Sequence, residues 1–168
     1  LSTVENLLSV TRMEEGRMAL HLKPELLSEV VGGAMQRLEK YGSTHHLRVE
    51  QEDDLLMARI DARLILQVLT NLIDNAVKYT PPGSEIAVRT LRRDGMVVVE
   101  VADTGPGIPD ADKEKVFEMF YTSAGSDARR GMGLGLALCK SIVNAHGGTI
   151  SVSDNVPHGA VFAFTLQE

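Results

Sequence analysis

The segment Gln67–Gly83, QVLTNLIDNAVKYTPPG, constrains this chain more than any other. Helical spacing puts Val68, Leu69, Leu72, Ile73, Ala76 and Val77 on one side. Asn71, Asn75 and Lys78 fall at i, i+4 and i+7 on the other. Asn is mildly unfavourable inside a helix. A solvated polar face is the plain alternative, but the flanking positions are so apolar that little of this helix can be exposed. It must bury one side in a core and present two amides and an amine to something polar. Amide oxygens can ligate a hard cation and a lysine can neutralise phosphate oxygens, so a metal-bound phosphate chain would satisfy the stripe. Thr80-Pro81-Pro82-Gly83 then stops the helix.

The other elements can be read around this one. Leu1 to Glu15 has amphipathic helical spacing closed by Gly16; it either packs on its own domain or is the stub of a longer dimerising coil. Met18 to Leu22 alternates weakly, as a strand does. Leu26 to Tyr41 is expected to be helical despite Gly32 and Gly33. Leu47–Glu50 and Leu56–Ile60 read as short strands joined by an acidic turn, and Asp61 stands where an N-cap belongs ahead of a helix over 62–79. Strands 85–92 and 96–102 flank Asp94-Gly95, a strong hairpin turn. Asp103 to Pro109 is loop chemistry, and Asp110 can cap a short helix running to Phe120. Tyr121 to Arg130 is small and polar with no core period. A helix runs from the glycines at 131–135 to His146, closed by Gly147-Gly148. Strands 149–153 and 160–166 finish the chain. Mixed strands and helices with two hairpins, rather than regular βαβ units, predict an α+β fold: a two-layer sandwich with a mixed sheet covered on one face by helices.

A length of 168 residues suits one domain with a short extra element. The net charge of −6 argues against general binding to nucleic acid or anionic membrane. No apolar run is long enough for a helical membrane span. A single cysteine, Cys139, excludes an internal disulfide and a Cys-rich metal site; on its helix it reads as a small core residue. The chain opens on Leu in mid-pattern and is expected to be a piece of a longer protein.

Two further constellations carry chemistry. Gly131, Gly133 and Gly135 at a helix start would let backbone N–H groups approach an anion, or would simply permit tight helix packing. The run is not a P-loop, because no Gly-Lys-Ser/Thr follows, and a dinucleotide fingerprint fails at Leu136. Asp103 ends a valine-rich strand. Ionised, it can only accept hydrogen bonds, which suits the exocyclic amine of adenine; alone, it could equally cap its own turn.

Taken together, these segments resemble the boxes of sensor histidine kinases. Asn71-Leu-Ile-Asp-Asn75-Ala-Val-Lys78-Tyr79 is similar to the N box. Asp103-Thr-Gly105-Pro-Gly107-Ile108-Pro resembles the first glycine box, Val116 to Tyr121 the F box, and Gly131-Met-Gly133-Leu134-Gly135-Leu136 the second glycine box, all in order. LLSVTRMEEG is similar to the end of the dimerisation helix, so residues 1–16 are expected to be that linker and 17–168 the catalytic ATP-binding domain. VENLLSVTRMEEG and the segment after it look similar to the Kdp-type, potassium-responsive members of the family.

The resemblance implies the Bergerat ATP-binding fold, with ATP and Mg2+ as cofactors. Asp103 would hold the adenine amine. Asn71 and Asn75 would lie near magnesium and the phosphates, and Lys78 would contact phosphate. Tyr79 would lie beside adenine or ribose. Gly105 and Gly107, with Ile108, would shape the nucleotide floor, and Phe117 and Phe120 would anchor a lid. Gly131, Gly133 and Gly135, with Leu134 and Leu136, would receive the phosphates. Thr165 is a further pocket candidate. The F box departs from the family at Thr122, where a basic residue is common; Arg129 and Arg130 would supply the lid charge instead. Hydrolysing relatives place a Glu where Asn71 stands, and a neutral amide is no general base. The expected activity is therefore transfer of the γ-phosphoryl to a His on the protein's own dimerisation domain, then to a response regulator. None of His21, His45, His46, His146 and His158 has the neighbours of the family's acceptor. The implied parent is a homodimer, membrane-anchored with this part in the cytoplasm; no direct membrane contact and no nucleic acid are expected. The alternative is a non-catalytic nucleotide-binding module of the same fold.

Overall fold

A computed structural model describes residues 19–118 and 135–168 of the chain. The expected helix over 1–15, the segment 121–130, and the candidates Phe120, Arg130, Gly131, Gly133 and Leu134 lie outside those residues.

Among the described residues, seven strands and three α-helices alternate irregularly: β1 (Lys23–Leu26), α1 (Leu27–Arg37), β2 (His46–Gln51), β3 (Met57–Ile60), α2 (Ala62–Lys78), β4 (Glu85–Arg93), β5 (Met96–Asp103), α3 (Gly135–Ala145), β6 (Ile150–Asp154) and β7 (Ala160–Leu166). The main sheet has the order β2-β4-β5-β7-β6, with β2 parallel to β4 and every other pair antiparallel. The mixed-sheet expectation holds, as do both hairpins. Asp94 and Gly95 take φ of 52° and 78°, the left-handed pair that a tight two-residue turn needs.

Period-two alternation explains where the core sits. Ile86 and Val88 on β4, Val97, Val99 and Val101 on β5, and Phe162, Phe164 and Leu166 on β7 share one face and are buried. Helix α2 packs on that face through its apolar side: Ile65, Val68, Leu69, Leu72 and Ile73 are buried, and α1 and α3 lie against it. Asp103 is in register with Ile86, so its side chain belongs to the same face as the valines before it.

Several expectations need correction; among the described residues the helix expected from Asp110 is two 3-10 turns, Asp110–Asp112 and Lys115–Phe117. The first strand lies at 23–26 rather than 18–22 and pairs only with β3, so Pro24 sits in a two-stranded ribbon where a missing N–H is tolerated. The acidic turn does not make β2 and β3 partners: β2 crosses to β4 and β3 joins β1. The helix expected over 26–41 ends at Arg37, and a 3-10 turn carries Glu39–Ser43. Asp61 occupies the N-cap position of α2, but its side chain does not cap. Its carboxylate accepts from the His21 N–H at 3.2 Å and pairs with Arg63 at 3.6 Å.

His146 has the structural role expected of it. Its Nδ1 donates to the Ile142 carbonyl at 2.8 Å, and its Nε2 accepts from the Asp61 N–H at 3.1 Å, tying the end of α3 to the start of α2. Gly147, at φ 77°, and Gly148 close α3 through N–H bonds to Asn144 and Val143, both 3.0 Å.

Candidate functional site

Asp103 is the last residue of β5 and is 6% exposed. Its Oδ1 accepts from the Gly105 N–H at 2.9 Å and the Ala160 N–H at 3.2 Å. Among the described residues both bonds fall on Oδ1, so Oδ2 remains available as an acceptor. Burial pushes the carboxyl above its ordinary value; the two backbone N–H groups and the nearby His158 pull it back. An acceptor held on an apolar face by backbone donors is suited to the amine edge of a flat ring.

The glycines after it are needed for close approach. A Cβ on Gly105 would stand 2.5 Å from Thr80 Cγ2, which places the exit turn of α2 directly against this loop. Gly107 has φ 79° and faces the Gly159 carbonyl. Ile108 is partly buried against the core, and its carbonyl accepts from Lys113 Nζ at 3.0 Å. Phe117 is buried edge-on to Phe162, with centroids 5.9 Å apart. Thr80 is held from both sides: its hydroxyl donates to the Ala76 carbonyl at 2.8 Å and lies 3.0 Å from Nε2 of the buried His45.

On α2, Asn71 and Asn75 are partly buried and Lys78 is 44% exposed. Asn71 Nδ2 is enclosed and has no hydrogen-bond partner among the described residues. Its neighbour is Cys139, whose thiol burial pushes up to about 12, with the Asn71 amide acting the other way. That thiol points to the Val68 carbonyl, Sγ to O 3.7 Å, and a thiol sulfur is a poor acceptor, so the amide is effectively unpaired. A buried orphan donor is costly unless a ligand satisfies it. Lys78 pairs with Asp74 at 3.0 Å, and the other oxygen of Asp74 takes the Tyr41 hydroxyl at 2.6 Å. Tyr79 forms the C-cap of the helix. Gly135 is the first described residue of α3, and Leu136 packs on the core.

Thr165 is not brought to this place. It pairs with Val98, five residues before Asp103 along β5, and its hydroxyl accepts from the Thr149 N–H at 2.9 Å. A Cβ on Gly148 would fall 1.9 Å from the Thr165 carbonyl. Thr165 fastens the Gly147-Gly148 turn to β7. Sequence reasoning also missed Asn155, His158 and Gly159, which wrap the Asp103 loop, and His45 behind Thr80. Only the tertiary contacts reveal them.

The sequence profile of the histidine kinase-, DNA gyrase B- and HSP90-like ATPases matches residues 60–168. The chain belongs to that family. Within it, the chain is the ATP-binding catalytic domain of a sensor histidine kinase, with the α+β Bergerat-type fold. It is 43% identical over 165 residues to the sensor protein KdpD of Clostridium acetobutylicum, covering 97% of this chain and 18% of that protein. The chain therefore spans under a fifth of that relative's length, and the likeness places it with the Kdp-type sensors. The catalytic domain of the histidine kinase ThkA, solved nucleotide-free, superposes with a TM-score of 0.77 at 29% identity over 88% of this chain and 97% of that one. ThkA in complex with the response regulator TrrA gives 0.75 at 27% identity, over 97% and 47%. Among the described residues, no helix is long and apolar enough to cross a membrane.

Proposed function

We propose that this chain holds Mg·ATP with its adenine amine on Asp103 and its phosphates along Asn71, Asn75 and Lys78, and donates the γ-phosphoryl to a histidine of the parent protein's dimerisation domain. The observation that carries the reading is Asn71: an enclosed amide with an unsatisfied Nδ2, on the helix face that also bears Asn75 and Lys78. A phosphate oxygen would satisfy the donor. Turned toward a hard cation, the amide oxygens of Asn71 and Asn75 are neutral ligands of the right kind. Magnesium would take its remaining ligands from the nucleotide's own oxygens. Bound there, it would neutralise phosphate charge.

The chain's residues do the rest. Asp103 selects and orients the base, Tyr79 and Gly105 to Ile108 shape the floor, and Lys78 neutralises developing charge. The phosphate arm is completed by Gly131 to Leu136, with Phe120 and Arg130 in the lid. Catalysis then rests on positioning and charge neutralisation. Asn71 cannot deprotonate water, so ATP is held for an incoming imidazole rather than hydrolysed. The acceptor histidine attacks the γ-phosphorus, the bond to the bridging oxygen breaks, and ADP leaves. Residues 1–16 join this domain to the dimerising helices, the parent is a membrane-anchored homodimer with this part in the cytoplasm, and a response regulator of the kind seen with ThkA accepts the phosphoryl next.

The test mixes this chain with a separately made dimerisation domain and γ-labelled ATP, with and without magnesium. Label should appear on the added domain only, and only with magnesium. Asn71→Glu should not convert the chain into an efficient ATPase. Phosphohistidine on this chain alone, or no transfer from a chain that binds ATP, would overturn the reading.

A further inference from the structure

The turn between β6 and β7 is built into the base end of the site. The β5–β7 ladder ends at Ala102–Val161. One step further, side chains replace the ladder bonds. The Ala160 N–H goes to Asp103 Oδ1 at 3.2 Å, and the Asp103 backbone carbonyl accepts from Asn155 Nδ2 at 2.7 Å. The orientation of the Asn155 amide is settled by its other contact, since its Oδ1 accepts from the Val156 N–H at 2.9 Å. The Asn155 N–H in turn donates to the Gly159 carbonyl at 3.0 Å, closing the turn on itself.

His158 makes the second attachment. Its Nδ1 lies 3.1 Å from the Gly105 carbonyl, which can only accept, so Nδ1 carries the proton and donates. Gly105 is thereby held twice, by its N–H on Asp103 Oδ1 and by its carbonyl on His158. No slack remains between turn and loop. A Cβ on Gly159, at φ 114°, would fall 1.9 Å from the Asp103 carbonyl, and one on Gly107 would fall 3.0 Å from the Gly159 carbonyl.

We propose that Asn155 and His158 are positioning residues for base recognition: they lock the Asp103–Gly107 loop so that the carboxylate presents one fixed acceptor, and so set the preference for adenine over guanine nucleotides. The inference rests on Asp103 receiving the adenine amine. Guanine carries a carbonyl where adenine carries that amine, and a fixed carboxylate oxygen opposite a carbonyl is repelled. A carboxylate free to swing could instead accept from the guanine ring N–H and its own amine. Discrimination therefore depends on how firmly the loop is held.

The experiment measures ATP and GTP dissociation constants by calorimetry for the chain and for Asn155→Ala, His158→Ala, His158→Asn and Asp103→Asn. A thermal melt of each shows that it is folded at the assay temperature. His158 is exposed, so its variants should fold, and they decide the matter by themselves if Asn155→Ala does not. Each alanine variant should weaken ATP binding about five- to tenfold, the worth of one hydrogen bond, and shrink the GTP-to-ATP ratio by a similar factor. His158→Asn, whose Nδ2 replaces the ring donor, should restore both. A merely structural role would lower the melting temperature and leave the ratio alone. An unchanged ratio in the folded alanine variants overturns the inference, provided Asp103→Asn loses ATP. If Asp103→Asn keeps its ATP affinity, the pocket assignment itself falls.

Discussion

Around Asp103 the carboxylate, the backbone carbonyl and the next glycine are all held by bonds within the chain, between 2.7 and 3.2 Å. Around Asn71 an amide nitrogen is enclosed with no partner among the described residues, and Lys78 leans out to an aspartate on its own helix. The first region is finished before any ligand arrives. The second is left with an unsatisfied donor and a cation held by a half-exposed ion pair, the kind of contact that contributes little and yields readily. A site that must read a base gains from rigidity. A site that must pass on a phosphoryl group gains from donors that are satisfied only when the phosphates are present.

The strongest way to break this contrast is Asp103→Asn. Asn can still accept from the Gly105 and Ala160 N–H groups, so the loop should stay folded, while the charge-assisted bond proposed to the base would be lost. ATP affinity should fall about 100-fold by calorimetry. The sign for stability runs the other way. Burial raises the Asp103 pKa above 3.8, so the carboxyl favours the fold below 3.8, and that contribution is lost as pH rises through the raised value. At neutral pH the ionised group is a cost to the empty protein, and the variant's melting temperature should hold or rise. Nucleotide affinity in the unaltered chain should decline on acidification at a pH above 3.8, as Asp103 gains a proton. Full ATP affinity in a folded Asp103→Asn would erase the distinction between the two ends.

Lys78→Met attacks the other end. ATP binding should weaken about tenfold, the loss of one charged contact to phosphate, while adenosine binding stays unchanged. The difference should narrow in high salt, because Lys78 is substantially exposed. Equal losses for ATP and adenosine would mean that the base and phosphate ends are not separable.

The same contrast explains what could be read in advance. Helix α2, the Asp94-Gly95 turn and the Gly147-Gly148 stop were legible because each is decided by residues adjacent in the chain: apolar spacing, left-handed φ, a closing glycine. The stripe Asn71, Asn75, Lys78 was legible for the same reason, since one helix face fixes it. The rigidity of the base end was not. Asn155, His158 and Gly159 look like ordinary turn residues, and they matter only because β7 pairs with β5 in a register that brings their turn to Asp103, more than 50 positions away. Thr165 failed in the complementary way. In sequence it is near the site's last strand, but the antiparallel register carries it to the far end of β5. The parallel pairing of β2 with β4 across α2 is likewise a choice of the whole sheet rather than of the acidic turn after β2.

The smallest effect concerns the tether behind Lys78. Asp74 divides its two oxygens between the Lys78 ammonium at 3.0 Å and the Tyr41 hydroxyl at 2.6 Å, so the turn after α1 is tied to the helix that bears Lys78. The bond to Asp74, then burial, then the carboxylate's charge raise the Tyr41 pKa to about 12. A raised folded-state value means that the contribution is fully present below the ordinary 10.0 and is lost as pH climbs through about 12. Tyr41→Phe should cost about 1 kcal/mol in a urea melt at pH 8, discounted because the pair is only partly buried, and the gap from the unaltered chain should close between about pH 10 and pH 12. ATP affinity in Tyr41→Phe should change by less than in Lys78→Met, because freeing one oxygen of Asp74 leaves the ammonium in place and lets the aspartate grip it more fully. A loss of ATP binding as large as that of Lys78→Met would show that the loose end of the site is held from behind as firmly as the base end is, and the contrast between the two would dissolve.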